Sequence, residues 1–164
     1  MTEADKKLRR VCFTGHRPEK LNIDEKEVKN RLRDAIIKAV EDGYTTFISG
    51  MARGVDMWAA EIVLEERKNN EDIKLICASP YEGFEKSWDF TERRRYSNIM
   101  KKSDYIKFVC EHYSRQCFQI RNVWMVDHSA RVIAAYNGES GGTKNTLRYA
   151  FGKSVEVHNI LEIK

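Results

Sequence analysis

Three short stretches of the chain concentrate residues able to hold an anion. Thr14-Gly15-His16-Arg17-Pro18, Ser49-Gly50-Met51-Ala52-Arg53-Gly54-Val55-Asp56 and Asn137-Gly138-Glu139-Ser140-Gly141-Gly142-Thr143 each combine glycine with hydroxyl, amide or charged side chains. Glycine lets the backbone approach a ligand and adopt positive φ, and a turn that opens a helix presents free N–H groups at the positive end of its dipole. Both features favour phosphate. Gly141-Gly142-Thr143 predicts such a cradle, with Thr143 as N-cap and Lys144 or Asn145 as nearby donors. Arg17 and Arg53 lie on the other two turns, where a guanidinium can clamp a second phosphate through paired hydrogen bonds. His16 suits either donation to phosphate or general acid–base work. Glu139 is the carboxylate nearest the Gly-Gly-Thr turn and the candidate to activate water, against the ordinary fate of a loop Glu, which is solvation.

Other residues carry chemistry less directly. Trp88 and Arg95 share a face if residues 87–102 are helical, so that Trp88 can stack on a base while Arg95 meets a phosphate, with Tyr96 beside them. Tyr81 follows Pro80 at the end of a predicted strand, a position suited to stacking on adenine. Asp56 lies just inside a helix start, where a carboxylate favours the dipole, so capping competes with ligand contact. Gly138-Glu139-Ser140-Gly141-Gly142 matches the Gly-x-Ser-x-Gly nucleophile elbow, but only Glu156 and His158 follow Ser140 closely as triad partners. No Walker A is present, and Gly-x-Gly-x-x-Gly is absent after the first strand, which disfavours P-loop hydrolysis and dinucleotide oxidoreduction. Cys110, His112 and Cys117 resemble scattered metal ligands without a fourth partner at usable spacing, so no metal is expected. Reduced thiols are expected at Cys12, Cys77, Cys110 and Cys117, since no CxxC pair occurs.

These turns need elements to position them. Runs rich in Val, Ile, Phe and Tyr at residues 10–14, 45–49, 73–78, 105–110, 131–136 and 154–159 read as strands. Val28, Leu32, Ala35, Ile36, Ala39 and Val40 recur at helical spacing between Asp24, a predicted N-cap, and Gly43, a predicted stop. Further helices are predicted over residues 55–67, 91–102, 114–128 and 143–151, with Gly152 as the C′ residue of the last. Strand and helix in alternation imply right-handed crossovers and a doubly wound, mostly parallel α/β sheet with helices on both faces. In such sheets ligands bind beyond the carboxyl ends of the strands, where strand order reverses, and all three glycine turns follow strands.

At the same residues the sequence resembles the YpsA-like branch of the SLOG superfamily. The resemblance rests on residues 14–18 and 49–56, the stretch Trp88 to Tyr96, Arg121-Asn122 with Met125-Val126-Asp127, and Gly141-Gly142-Thr143 with Asn145-Thr146. It implies a Rossmann-like domain that binds nucleotides or nucleotide-derived ligands such as ADP-ribose relatives. The run Ser49 to Asp56 is also similar to a signature of the DNA processing protein family (DprA), whose Rossmann domain binds single-stranded DNA. The Gly-Gly-Thr turn is similar to that of the LOG phosphoribohydrolases, which carry Pro-Gly-Gly-x-Gly-Thr-x-x-Glu with a catalytic Glu. Thr146 stands where that Glu would be, a departure that counts against base hydrolysis.

At 164 residues the chain reads as one domain, 1–164, large enough for a core without disulfides. Its 29 basic against 25 acidic residues give a net charge of +4, short of a strongly basic nucleic-acid domain. No run approaches a membrane span and residues 1–10 hold no apolar segment, so a cytoplasmic location is expected, with no membrane partner. The reading that results is a sensor or adaptor for a small nucleotide-like ligand, held by Thr14, Gly15, His16, Arg17, Ser49, Gly50, Arg53, Gly54, Asp56, Pro80, Tyr81, Trp88, Arg95, Asn137, Gly141, Gly142, Thr143 and Asn145. The alternatives are an N-glycosidic or phosphoester hydrolase using His16 or Glu139 and, less favoured, a single-stranded DNA binder. A protein partner and a homo-oligomer remain open.

Overall fold

The computed structural model describes residues 1–163. After a short helix α1 (Glu3–Lys7), the chain alternates strand and helix: β1 (Arg10–Gly15), α2 (Glu25–Glu41), β2 (Thr46–Ser49), α3 (Val55–Arg67), β3 (Lys74–Ser79), α4 (Phe90–Lys102), β4 (Tyr105–Phe108), α5 (Cys117–Asp127), β5 (Arg131–Ala135), α6 (Gly142–Gly152) and β6 (Glu156–Asn159). One turn of 3₁₀ helix, Pro18–Lys20, follows β1. The strands form a six-stranded sheet in the order β4-β3-β2-β1-β5-β6, and every pairing is parallel. The chain winds outward from β1 to β4, then crosses back to β5 on the other side of β1. The strand order therefore reverses between β1 and β5, and a crevice opens there.

Alternation along the strands divides the core between two faces. Val11 and Phe13 of β1, Phe47, Leu75 and Ile133 pack against α2, α3 and α4, burying Val28, Leu32, Ile36, Met57, Val63 and Ile99. Cys12, Ile48, Ala78, Val132 and Ala134 point the other way, onto Met125, Val126, Leu147 and Ala150 of α5 and α6. Strands covered on both faces have no polar side to show, and β5 is buried at all five positions. Helix α3 sits at the centre of the first face with Val55 through Ala60 buried in succession, which is why its sequence reads apolar almost all round. Burial pushes the thiols of Cys12 and Cys77 up to about 12, so both behave as small hydrophobes.

Three local expectations are corrected. The N-cap of α6 is Gly141, at φ 140°, not Thr143, which lies inside the first turn with no cap hydrogen bond from its hydroxyl. Gly152 is the last residue of α6 rather than its C′ residue, and the left-handed position falls on Ser154, at φ 58°. Trp88 precedes α4 instead of lying within it, because Asp89 caps that helix by accepting from the Glu92 N–H at 2.9 Å. Asp24 does occupy the N-cap position of α2, although its side chain makes no cap bond, and Gly43 follows that helix at φ 101°.

Candidate functional site

The crevice at the switch point is a cleft of about 570 Å³. The end of β1 and the turn after it contribute Phe13, Thr14, Gly15, His16, Arg17, Pro18 and Lys20, and the β2–α3 loop with the first turn of α3 contributes Ala52, Arg53 and Asp56. Phe84 and Trp88 come from the β3–α4 loop, Phe118, Arg121 and Asn122 from α5, and Gly141, Gly142 and Thr143 from the start of α6. A second groove, about 580 Å³, lies at the opposite end of the sheet between Arg9, Thr46, Lys74 and Asp104. Two of the charges lining it are paired, Arg10 with Glu3 at 2.6 Å and Asp104 with Arg67 at 2.7 Å. It faces strand beginnings, whereas ligands of such sheets bind beyond the carboxyl ends, so the first cleft is the candidate site.

Close packing builds the loops around this cleft. A Cβ on Gly15 would lie 2.7 Å from the Val55 side chain, so only glycine lets β1 abut the start of α3. Gly54, at φ 88°, turns into α3 against Pro18. Ser49 is fully buried; its hydroxyl donates to the Asp56 carbonyl at 2.8 Å and accepts from the Met51 N–H at 3.2 Å. The Asp56 carboxylate accepts from the Ala52 N–H at 3.2 Å, closing the same loop. Asn137 bridges two turns, donating to the Lys20 carbonyl at 3.0 Å and accepting from the Glu139 N–H at 3.1 Å. Ser49, Gly50, Gly54 and Asn137 thus shape the cleft from behind its surface.

A buried arginine locks the floor. Arg121 donates through Nη1 to the Gly50 carbonyl and through Nε to Asn122 Oδ1 at 2.8 Å. A Cβ on Gly50 would come within 2.9 Å of both Arg121 Nη1 and Asp56 Oδ2, which shows how tightly cation, carboxylate and loop are fitted. Burial raises the Asp56 carboxyl above its ordinary range, while the Arg121 charge and the Ala52 N–H pull it back. The same burial lowers Arg121. Arg121 is the one basic residue of α5, and Phe118, Arg121 and Asn122 share one helical face; that was the readable signal for a contribution from α5.

The cleft carries cations on Arg17, Lys20, Arg53 and Arg121 against the single carboxylate of Asp56. Among the described residues Arg17, Lys20 and Arg53 make no ion pair, and Arg53 lies over the Trp88 ring at 6.0 Å. Nothing lies within 4 Å of a Cβ built on Gly142, so the start of α6 is open to an approaching group. His16 is buried, packs on Tyr136 at 5.5 Å between ring centroids, and leaves Nε2 without a hydrogen-bond partner. Burial holds its pKa below the usual value, keeping the imidazole neutral at pH 7.

Several residues lie elsewhere. Arg95 pairs with Glu92 at 3.0 Å and Glu61 at 3.4 Å, between α4 and α3, and does not line the cleft. Tyr81, just after buried Pro80, packs edge-on against Phe84, Tyr113 and Phe118, behind the cleft wall. Asn145 and Glu139 are exposed on the rim. Glu156 bonds Arg131 at the beginning of β6, the opposite end of the sheet from exposed Ser140, so the elbow-like match assembles no triad.

Residues 11–161 match the YpsA model of the YspA SLOG family. UPF0398 proteins of Bacillus thuringiensis and Bacillus cereus are 27% identical over 157 residues, covering 91% of this chain and 85% of theirs. Among solved structures, DNA processing protein A from Streptococcus pneumoniae superposes with a TM-score of 0.66 at 19% identity, over 92% of this chain and 50% of its own. DprA from Helicobacter pylori, described in its single-stranded DNA binding mode, gives 0.62 at 21% identity, over 94% of this chain and 66% of its own. The chain thus spans half to two thirds of those structures, and the likeness establishes a shared fold. With the family match running from the second residue of β1 to just past β6, the chain belongs to the YspA SLOG family, a Rossmann-like fold related to that of DprA.

Proposed function

We propose that the switch-point cleft binds a nucleotide or nucleotide-derived ligand of the ADP-ribose type, and that the protein acts as a sensor or adaptor for it. One observation carries this reading: Arg17, Lys20 and Arg53, which make no ion pair among the described residues, meet the uncapped N-terminus of the 11-residue helix α6 in a single cleft. Uncapped N–H groups and mobile guanidinium forks are complementary to phosphate oxygens. The expected location is the cytoplasm; no described helix is long and apolar enough to cross a membrane.

Calorimetric titration with ADP and ADP-ribose tests the reading. Charge-assisted hydrogen bonds contribute ~1.5–3 kcal/mol each, so Arg17→Ala or Arg53→Ala should weaken binding by about tenfold or more. Absence of binding across nucleoside mono- and diphosphates, ADP-ribose and its cyclic forms would refute it. A LOG-like hydrolase is less well supported: Thr146, at the position of the LOG glutamate, is buried and donates its hydroxyl to the Gly142 carbonyl at 2.8 Å. Chromatography after long incubation should return the bound nucleotide intact.

A second reading, single-stranded DNA binding, draws on the fold shared with the Helicobacter pylori DprA and on the exposed Arg17 and Lys20 at the cleft rim. Phosphate contacts would make oligonucleotide affinity fall steeply with salt. A flat response, or no gel shift, eliminates it.

A further inference from the structure

The cleft has two chemically different ends. Gly142, Thr143, Arg17 and Lys20 gather on the β1–β5 side, whereas Phe84, Trp88 and Phe118 form a wall on the β3 side. The three aromatics hold one another, with Phe84 5.0 Å from Trp88 at 74° and 5.8 Å from Phe118 at 56°. Each is half-buried and lines the cleft rather than being sealed in the core. Core aromatics of this sheet, such as Phe13 and Phe47, are fully buried, so the partial exposure of the wall is not a general feature of the fold.

We infer that this wall, together with Asn122, is a nucleobase subsite: the base stacks against Phe84, Trp88 and Phe118 while the phosphates lie at the start of α6. The inference rests on the nucleotide-binding reading above and specifies its orientation. Three observations support it. Strands β3 and β5 are separated by β2 and β1, three spacings of ~4.8 Å, or roughly 14 Å, a span that a nucleoside diphosphate bridges and a lone phosphate does not. Arg53, over Trp88 at 6.0 Å, stands between the ends and reaches ribose or the proximal phosphate without surrendering its stacking partner. The third is the orientation of the Asn122 amide. A guanidinium can only donate, so the 2.8 Å contact from Arg121 Nε fixes Oδ1 of Asn122 as the engaged atom and leaves Nδ2 as the free group. Asn122 lines the cleft, so it offers a base edge a donor, to be met by a ring nitrogen or carbonyl acceptor.

Calorimetric titration of ADP, adenosine and inorganic pyrophosphate into the wild type, Phe118→Leu and Asn122→Leu separates the ends, with thermal melting as a check on folding. Leucine keeps apolar bulk in the wall but removes the ring. Base–aromatic stacking strength predicts that Phe118→Leu weakens ADP about tenfold while pyrophosphate changes less than about twofold, and Asn122→Leu follows the same pattern. If Phe118→Leu does not fold, Phe84→Leu makes the same test. Wild-type binding of pyrophosphate as tight as ADP, or equal losses for both in the wall variants, overturns the subsite while leaving the phosphate end standing. Failure of both ADP and pyrophosphate to bind the wild type removes the nucleotide reading itself. An oligothymidylate that binds more tightly than ADP and loses affinity in Phe118→Leu assigns the wall to nucleic acid and overturns the small-ligand subsite.

Discussion

Replacing Arg121 by methionine tests whether the floor of the cleft is an electrostatic lock. Methionine keeps the apolar stem but removes the donor to the Gly50 carbonyl, the donor to Asn122 Oδ1 and the cation beside Asp56. A buried carbonyl left without a partner costs ~1–3 kcal/mol, and the Coulombic loss at Asp56 adds less than breaking a contact pair would, because among the described residues Arg121 and Asp56 make no ion pair within 4 Å. That addition is small, because Asp56 keeps the Ala52 N–H and, with its pKa already raised, escapes by taking a proton. The expected loss is about 3 kcal/mol, or roughly 6–12 °C in melting temperature at ~2–4 °C per kcal/mol for a domain of this size. The pH dependence is the sharper part. A carboxyl whose folded pKa exceeds the ordinary 3.8 holds its proton more tightly folded than unfolded, so stability falls as pH rises through that window. Losing Arg121 raises the folded value further and extends the window upward. Urea denaturation followed by circular dichroism should therefore show a gap between variant and wild type that is smallest near about pH 4 and widens toward neutrality, and Asp56→Asn should recover part of it in the double variant. A loss below ~1 kcal/mol at pH 7, or a gap that narrows as pH rises, contradicts the lock.

Three further outcomes are accessible. Gly142→Ala should leave thermal stability unchanged, since its Cβ enters open space at a helical position, yet weaken pyrophosphate by crowding the N–H groups of α6; unchanged pyrophosphate affinity would show that the turn takes no anion. Gly15→Ala drives a methyl to 2.7 Å from branched Val55 and should cost ~1–3 kcal/mol in urea melts, with Gly15→Ala/Val55→Ala less destabilised than the sum of the single variants. His16 has a folded pKa below its ordinary 6.5, so its contribution is intact above that value and is lost as pH falls through the window below it; His16→Gln should flatten the decline in melting temperature below about pH 6.5, and identical pH profiles would refute the assignment.

Elements with a strong period were legible residue by residue. Helix α3 runs from Val55 to Arg67 as its apolar sequence indicates, and the six β-rich runs all became strands. Terminal geometry was less legible. Thr143 has the side chain of a cap, but the backbone at the preceding turn takes φ 140°, which Gly141 tolerates and threonine does not, so φ rather than capping preference set the start of α6. Trp88 and Arg95 were placed on one helical face by counting residues; Asp89 ended that argument by capping α4 one residue after Trp88, leaving the tryptophan on a loop and in the cleft.

The two arginines that exchange places explain why charge in the cleft was only half visible. Arg95 sits in a polar helix whose own Glu92 and the facing Glu61 supply carboxylates, so its charge is satisfied locally and there is no drive to carry it to a ligand. Arg121 sits on α5 between Ile120 and Asn122, with no acidic residue in the first turn of that helix, so no carboxylate there meets it when it is buried. Its acceptors are the Gly50 carbonyl, from the loop that carries Arg53, and Oδ1 of the adjacent Asn122 on α5 itself, with Asp56 close by. A cation with no carboxylate in the first turn of its own helix thus takes a long-range partner in the Gly50 carbonyl, and the loop it binds is fixed before any ligand arrives. Arg17, Lys20 and Arg53 differ from both: among the described residues they bond no carboxylate, and Arg53 lies over the Trp88 ring. The division follows from cost, since a buried guanidinium must be fully satisfied whereas a rim guanidinium keeps water until an anion displaces it. The charge built into the floor positions the cleft, and the charge left free at its rim is what a phosphate would meet.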